Sequence, residues 1–126
     1  MKKIIIIAIS FIICFSFRMK AQTVNDAILY LQQKNYAEAL DACDKLLSES
    51  ANDPAVLGVR SLVYTATGKY EQALQDADKA LSTDNSGRAH YAKAEAVFYG
   101  QKDHNKALQE YDAAIDRKST RLNSSH

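Results

Sequence analysis

Histidine, cysteine and paired carboxylates are the side chains here whose chemistry could make a site. His90 and His104 stand 14 positions apart, without the i, i+4 spacing that puts two metal ligands on one helix face. His104 falls where a packing residue is expected, so it is read as an interhelix histidine. Cys43 has Asp41 and Asp44 beside it. A reactive thiolate needs a cationic, partly exposed setting, so Cys43 is expected to be a small core residue. Asp76 and Asp78 have the right type for a general acid and base, but on an amphipathic helix they read as a solvated face. Neither a phosphate-cradling glycine loop nor a Gly-x-Ser-x-Gly turn occurs. The seven tyrosines fall mostly on packing positions and read as core, not as stacking platforms. The expectation is a chain with no catalytic, cofactor or metal site, and not an enzyme.

The elements that hold these residues must come from 126 residues, of which 47% are hydrophobic and 25% charged. That is the composition of one small folded domain. Four Gly, one Pro and no Trp argue against a sandwich or barrel rich in tight turns.

Residues 1–21 read as a secretory signal peptide. Lys2 and Lys3 precede an uncharged run from Ile4 to Phe17, and Ala21 is a small residue before cleavage. The run is short for a membrane span, which needs roughly 20 apolar residues, although an uncleaved anchor is the rival reading. Ile13 before Cys14 is too large for a bacterial lipidation site. Export to the periplasm or cell surface of a bacterium is expected, an oxidising compartment in which Cys43 is the one cysteine of the mature part.

The stretch Asp116–His126 leaves the apolar period of the segment before it. Its eleven residues resemble, in order, the translation of a common sequencing-adapter oligonucleotide. Residues 116–126 are therefore set aside as adapter-derived, with the natural sequence continuing past Ile115. The leader holds four basic residues and the tail three, with one acid, out of 16 basic and 15 acidic in all. The body between them keeps nine basic and fourteen acidic residues, a net charge of −5. An acidic body has no electrostatic footprint for nucleic acid.

That body repeats itself. Asn35-Tyr36-Ala37-Glu38-Ala39-Leu40, Lys69-Tyr70-Glu71-Gln72-Ala73-Leu74 and Asp103-His104-Asn105-Lys106-Ala107-Leu108 align at steps of 34. Leu46, Ala80 and Ala114 follow the aligned alanines by seven, and Tyr30, Tyr64 and Phe98 precede them at one slot. Each unit reads as two helices. Tyr70, Ala73, Leu74, Ala77, Ala80 and Leu81 make the stripe of an amphipathic helix, Gly68 suits a helix end and Pro54 a first turn. Ala39, Ala73 and Ala107 are expected to let the helices of a pair approach closely. Units are placed at about 22–53, 54–87 and 88–115.

On these residues the chain resembles the tetratricopeptide-repeat family across Thr23–Ile115, best over Pro54–Gly87. Thr23, Asp26, His104, Ser61 and Glu95 depart from the family's preferences, so the first unit is read as an atypical cap. The resemblance implies an all-α, right-handed superhelical solenoid of about three antiparallel helix pairs. It also implies a concave groove lined by the first helix of each pair. Mapped at 34 steps, the candidate peptide-groove residues are Val24, Ile28, Leu31 and Gln32; Gly58, Leu62, Thr65 and Ala66; and Ala92, Ala96, Tyr99 and Gly100, with Ala55 and Ala89 near the mouth. One subfamily grips terminal carboxylates with Lys and Asn at slots that here hold Val24 and Ile28, Gly58 and Leu62, Ala92 and Ala96, so a carboxylate clamp is rejected. An apolar groove suits an amphipathic helix or an extended apolar segment. The expected function is a protein–protein interaction scaffold with a protein or peptide partner. The rival readings are the sensory input half of a membrane signalling protein, and accessory repeats of an enzyme whose catalytic domain lies elsewhere.

Overall fold

The computed structural model describes residues 22–123. The signal-peptide assignment falls outside these residues. Among them are six α-helices: α1 (Val24–Gln32), α2 (Tyr36–Glu49), α3 (Pro54–Ala66), α4 (Tyr70–Thr83), α5 (Gly87–Ala96) and α6 (His104–Asn123). A π-helical turn, Val97–Gln101, extends α5. The helices form three pairs, α1/α2, α3/α4 and α5/α6. α3 packs on the first pair, and α5 packs on α3 and α4. The chain is an all-α solenoid of stacked helix pairs, as its sequence period implies.

Local signals account for the helix starts. Thr23 and Asp26 form a capping box on α1: the Thr23 hydroxyl accepts from the Asp26 amide, and the Thr23 amide donates to Asp26 Oδ2 at 2.9 Å. The two departures of the first unit are thus the pair that begins its helix. Asp53 Oδ1 accepts from the Ala55 amide at 3.0 Å ahead of Pro54, and Ser86 caps α5 through the Ala89 amide. Asp84, Asn85 and Ser86 link α4 to α5, and Gly87 already belongs to α5.

The three units also share a stop. Lys34, Gly68 and Lys102 have φ of 61°, 79° and 55°, and they stand 34 apart. At the first two the chain closes a doubly bonded cap: the amides of Asn35 and Lys69 reach back to the carbonyls of Tyr30 and Tyr64 at 2.8 Å, and those of Lys34 and Gly68 to Leu31 and Thr65. Left-handed backbone suits glycine, and only the middle unit has it.

Small residues set the spacing between helices. Ala39, Ala73 and Ala107 are buried, as their slot requires, and the Ser61 hydroxyl donates to the Ala73 carbonyl at 2.7 Å. The largest fully buried side chains are Leu57, Val56, Val59, Val63 and Val97, so the core is a stack of close helix contacts around modest aliphatics. Between pairs, Tyr70 lies against Gly100: a Cβ on Gly100 would stand 2.5 Å from that of Tyr70. The tyrosine fills the gap between hairpins, and the neighbouring unit accommodates it by having no side chain there. α6 does not stop where its apolar stripe ends. It runs through Asp116 to Asn123, a stretch with neither Gly nor Pro to break it.

Candidate functional site

A cavity of about 700 Å³ opens on the face built by the first helices. α1 supplies Ile28, Leu31 and Gln32, and α3 supplies Leu62, Thr65 and Ala66. Tyr70 closes one side, and Tyr91, Glu95 and Tyr99 form the third unit's wall. Of the candidate groove residues, Ile28, Leu31, Leu62, Thr65 and Tyr99 are thus brought together, with Gln32 and Ala66 beside them.

The structure puts the others elsewhere. Val24 packs on the hydrophobic core. Gly58 is buried, with the Arg88 Cγ 3.5 Å from where its Cβ would be. Ala92 and Ala96 are fully buried, because α5 uses its alanines for close approach to the second pair. Their absence from the wall leaves room for tyrosines instead. Tyr91 is exposed, which corrects its reading as core, while Tyr99, a groove candidate, is exposed as its slot implies. Period arithmetic identifies equivalent positions, but not the side chains that reach past a buried alanine.

The groove is amphipathic. Its one carboxylate among the lining residues, Glu95, accepts from the Tyr111 hydroxyl. Burial, and then the charge of Glu95, raise the Tyr91 phenol above its usual range. Burial and the bond to Glu95 do the same to Tyr111. On the α3 wall, Thr65 Oγ1 is buried with no hydrogen-bond partner among the described residues.

A second arrangement lies between the units, and it corrects the assignment of Asp76 to a solvated face. Asp76 is 6% exposed and takes two bonds from Arg60, from Nε at 2.6 Å and Nη2 at 2.9 Å. Arg60 Nη1 reaches Asp44 of the preceding unit at 2.9 Å. Its guanidinium is held above the usual arginine range chiefly by the bond to Asp76, against the opposing effect of burial. Lys93 repeats the device one unit on, at 3.0 Å from Asp78 and 3.6 Å from Glu110. Burial alone would lower the Lys93 ammonium, but Asp78 and Glu110 outweigh it and raise the group. In each case a cation on a first helix joins a carboxylate of its own second helix to one of the preceding second helix. The acceptors keep the 34-residue step: Asp44 and Asp78 make one series, Asp76 and Glu110 the other. That recurrence of carboxylates was the available signal for the clamp.

The remaining candidates for chemistry are accounted for structurally. Cys43 is fully buried, and burial pushes its thiol up to about 12, as a core residue requires. His104 is exposed, and its ring stands 4.9 Å from that of Phe98 on the preceding helical segment, so it packs between helices at the surface. His90 meets Glu110 Oε2 through Nδ1 at 2.6 Å. Among the described residues no His, Cys, Asp and Glu cluster could hold a metal ion, and no helix is long and apolar enough to cross a membrane.

The family described as anaphase-promoting complex, cyclosome, subunit 3 matches residues 32–116. A crystal structure of the C-terminal part of a TPR repeat-containing protein from Cytophaga hutchinsonii is similar, with a TM-score of 0.60 and 27% identity. The match covers 79% of this chain and 40% of that one, so this chain spans less than half the length of that relative. No curated protein matches.

Proposed function

Since the chain belongs to the anaphase-promoting complex, cyclosome, subunit 3 family, which is of tetratricopeptide-repeat type, we propose that it binds an apolar peptide segment in its concave groove. The chain is a repeat protein of the protein–protein interaction scaffold class. Peptide binding in the groove rests on one observation. The cavity combines aliphatic walls from α1 and α3 with tyrosines from the third unit, and Thr65 in its wall carries a hydroxyl without a partner. An unpaired buried hydroxyl costs about 1–3 kcal/mol, and the backbone of a bound segment would offer it a hydrogen bond. Ile28, Leu31 and Leu62 would cover the segment's apolar side chains, and Tyr99 its rim. A largely preformed groove limits the ordering cost of binding.

We propose further that the chain is exported and works in a bacterial periplasm or at the cell surface. The support is the sequence of residues 1–21, with Lys2 and Lys3 ahead of an apolar run. The role is binding, not catalysis.

The test is a selection of displayed random peptides on the purified chain. Apolar segments should be enriched, and Leu62→Asp should weaken the selected peptide about tenfold or more, the scale of one lost anchor. Equal binding by Leu62→Asp and the parent chain would refute the groove as the binding site.

A further inference from the structure

The seam between the second and third units is built from different cations than the seam before it. Between the first two units the shared cation is Arg60, whose guanidinium keeps its proton throughout the range in which proteins stay folded. One 34-residue step on, the slot of Arg60 holds Ala94, which is fully buried. Two other cations gather instead around Glu110, the equivalent of Asp76. Lys93 is one, 3.6 Å from Glu110 Oε1. His90 is the other. Its Nδ1 lies 2.6 Å from Glu110 Oε2, and its Nε2 lies 2.5 Å from Asn85 Oδ1, in the link between α4 and α5. The side chains of His90 and Glu110 are 16% and 17% exposed, so water competes weakly for these bonds. In the middle unit the slot of His90 is Val56, an aliphatic of the core it shares with Ala42, Cys43 and Leu47 of the first unit. An imidazole has taken the place of that aliphatic at the second seam.

Both ring nitrogens face oxygen acceptors, and this selects a protonation state. A neutral imidazole has one N–H donor and one bare acceptor nitrogen. Here it would set the bare nitrogen against the lone pairs of Glu110 or Asn85. The imidazolium donates to both. Charge points the same way. Lys93 stands 3.0 Å from Asp78 on α4, so the cluster holds two carboxylates, Asp78 and Glu110, against Lys93 and His90. It is neutral with His90 protonated and carries one excess negative charge without. The other charged side chains nearby are engaged elsewhere or lie in water. Arg60 on α3 is committed to Asp76 and Asp44, Glu95 on α5 accepts from Tyr111, the stem of Arg88 lies over Gly58, and Asp84 beside Asn85 is exposed.

We propose that His90 is a pH-sensitive latch: as the imidazolium it ties the α4–α5 link to α6, and on losing its proton it loosens the third unit, which bears Tyr91, Glu95 and Tyr99 of the groove. A bond made by the protonated ring contributes stability that is present at low pH and is lost as the pH rises. The loss falls within about pH 5 to 8, the interval in which imidazoles change charge. The first seam, held by Arg60, has no such dependence. The latch faces the second unit, so it does not depend on what stacks on the far side of α6.

The test is native-state hydrogen exchange of the whole chain at about pH 5.5 and about pH 8, on either side of imidazole titration, read by mass spectrometry and corrected for intrinsic exchange rates. Opening of α5 and α6 should rise about tenfold or more at the higher pH, the scale of one hydrogen bond to a charged group. Opening of α1 and α2 should stay as it is. His104→Gln should keep the response, and His90→Gln should remove it. In the parent chain, nitrogen NMR of the His90 ring should show protons on both nitrogens at about pH 5.5. Equal opening of α5 and α6 at the two pH values overturns the proposal, and so does a response shared equally by α1 and α2. A response that survives His90→Gln, or is lost in His104→Gln, overturns it as well. So does a ring whose Nε2 is bare at the lower pH, because Asn85 would then have turned its NH2 group towards it.

Discussion

Removing the Asp76 carboxylate tests whether the clamp holds the units together. In Asp76→Ala, Arg60 loses the bonds at 2.6 and 2.9 Å and keeps only Asp44. Hydrogen bonds to charged groups contribute about 1.5–3 kcal/mol each, and stranding one member of a buried ion pair costs about 3–5 kcal/mol. The Arg60 side chain is 23% exposed, so water recovers part of that loss. The expected destabilisation is then about 2–3 kcal/mol, the lower part of those ranges. For a domain of this size that is a fall in melting temperature of roughly 10–20 °C. Asp44→Ala is the control. Its side chain is 55% exposed, and an exposed pair contributes about 0–1 kcal/mol. Denaturant titrations of both variants, with Arg60→Met/Asp76→Leu as the double replacement, separate the terms. The double variant should recover most of the loss, because no charge is then left buried alone. An Asp76→Ala chain within about 0.5 kcal/mol of the parent, the scale of an ordinary surface change, would refute the argument. Equal losses at Asp44 and Asp76 would refute it as well.

Ala73→Leu should overpack the α3/α4 contact where Ser61 meets the Ala73 carbonyl, and cost about 1–3 kcal/mol in denaturant titration. Lys34→Gly removes a side chain from left-handed backbone, and should raise stability by about 0.5–1 kcal/mol, less than the full penalty because glycine is freer when unfolded. The equivalent change at Gly68, to Ala, should lower it. Cys43 should resist a thiol reagent at pH 8 while folded and react on denaturation. Its folded value of about 12 lies above the ordinary 9.0, so the folded chain keeps a proton that the unfolded one releases. Its contribution to stability is therefore present below pH 9 and is lost as the pH rises towards 12. Melting temperatures of the parent and Cys43→Ala across that window check the sign, since the variant should lose less on the alkaline side.

The repeat was legible because it is written in residue size and spacing. Alanine at 39, 73 and 107 is buried in every unit, so the pairs and their stacking follow from the step alone. The groove was legible only where slots hold side chains long enough to project, as at Ile28, Leu31 and Leu62. At Ala92 and Ala96 the same slots turn into the helix packing, and the neighbours Tyr91 and Glu95 form the wall. Asp76 looked solvated because its partner, Arg60, stands on another helix 16 residues away. A charge pattern along one helix does not reveal a cation reaching across from its neighbour. Helix α6 carries on past Ile115 because the loss of an apolar face does not stop a backbone that lacks a breaker.

The Arg60 clamp also sets how the array comes apart. Two of its three bonds stay within one hairpin and one crosses to the preceding hairpin. If the amino-terminal hairpin peels away, the guanidinium keeps its buried mate and only a wet contact with Asp44 breaks. Unzipping from that end strands no charge, so stepwise fraying meets no electrostatic barrier there and the resistance lies in the aliphatic seam between Cys43, Leu47 and Val59.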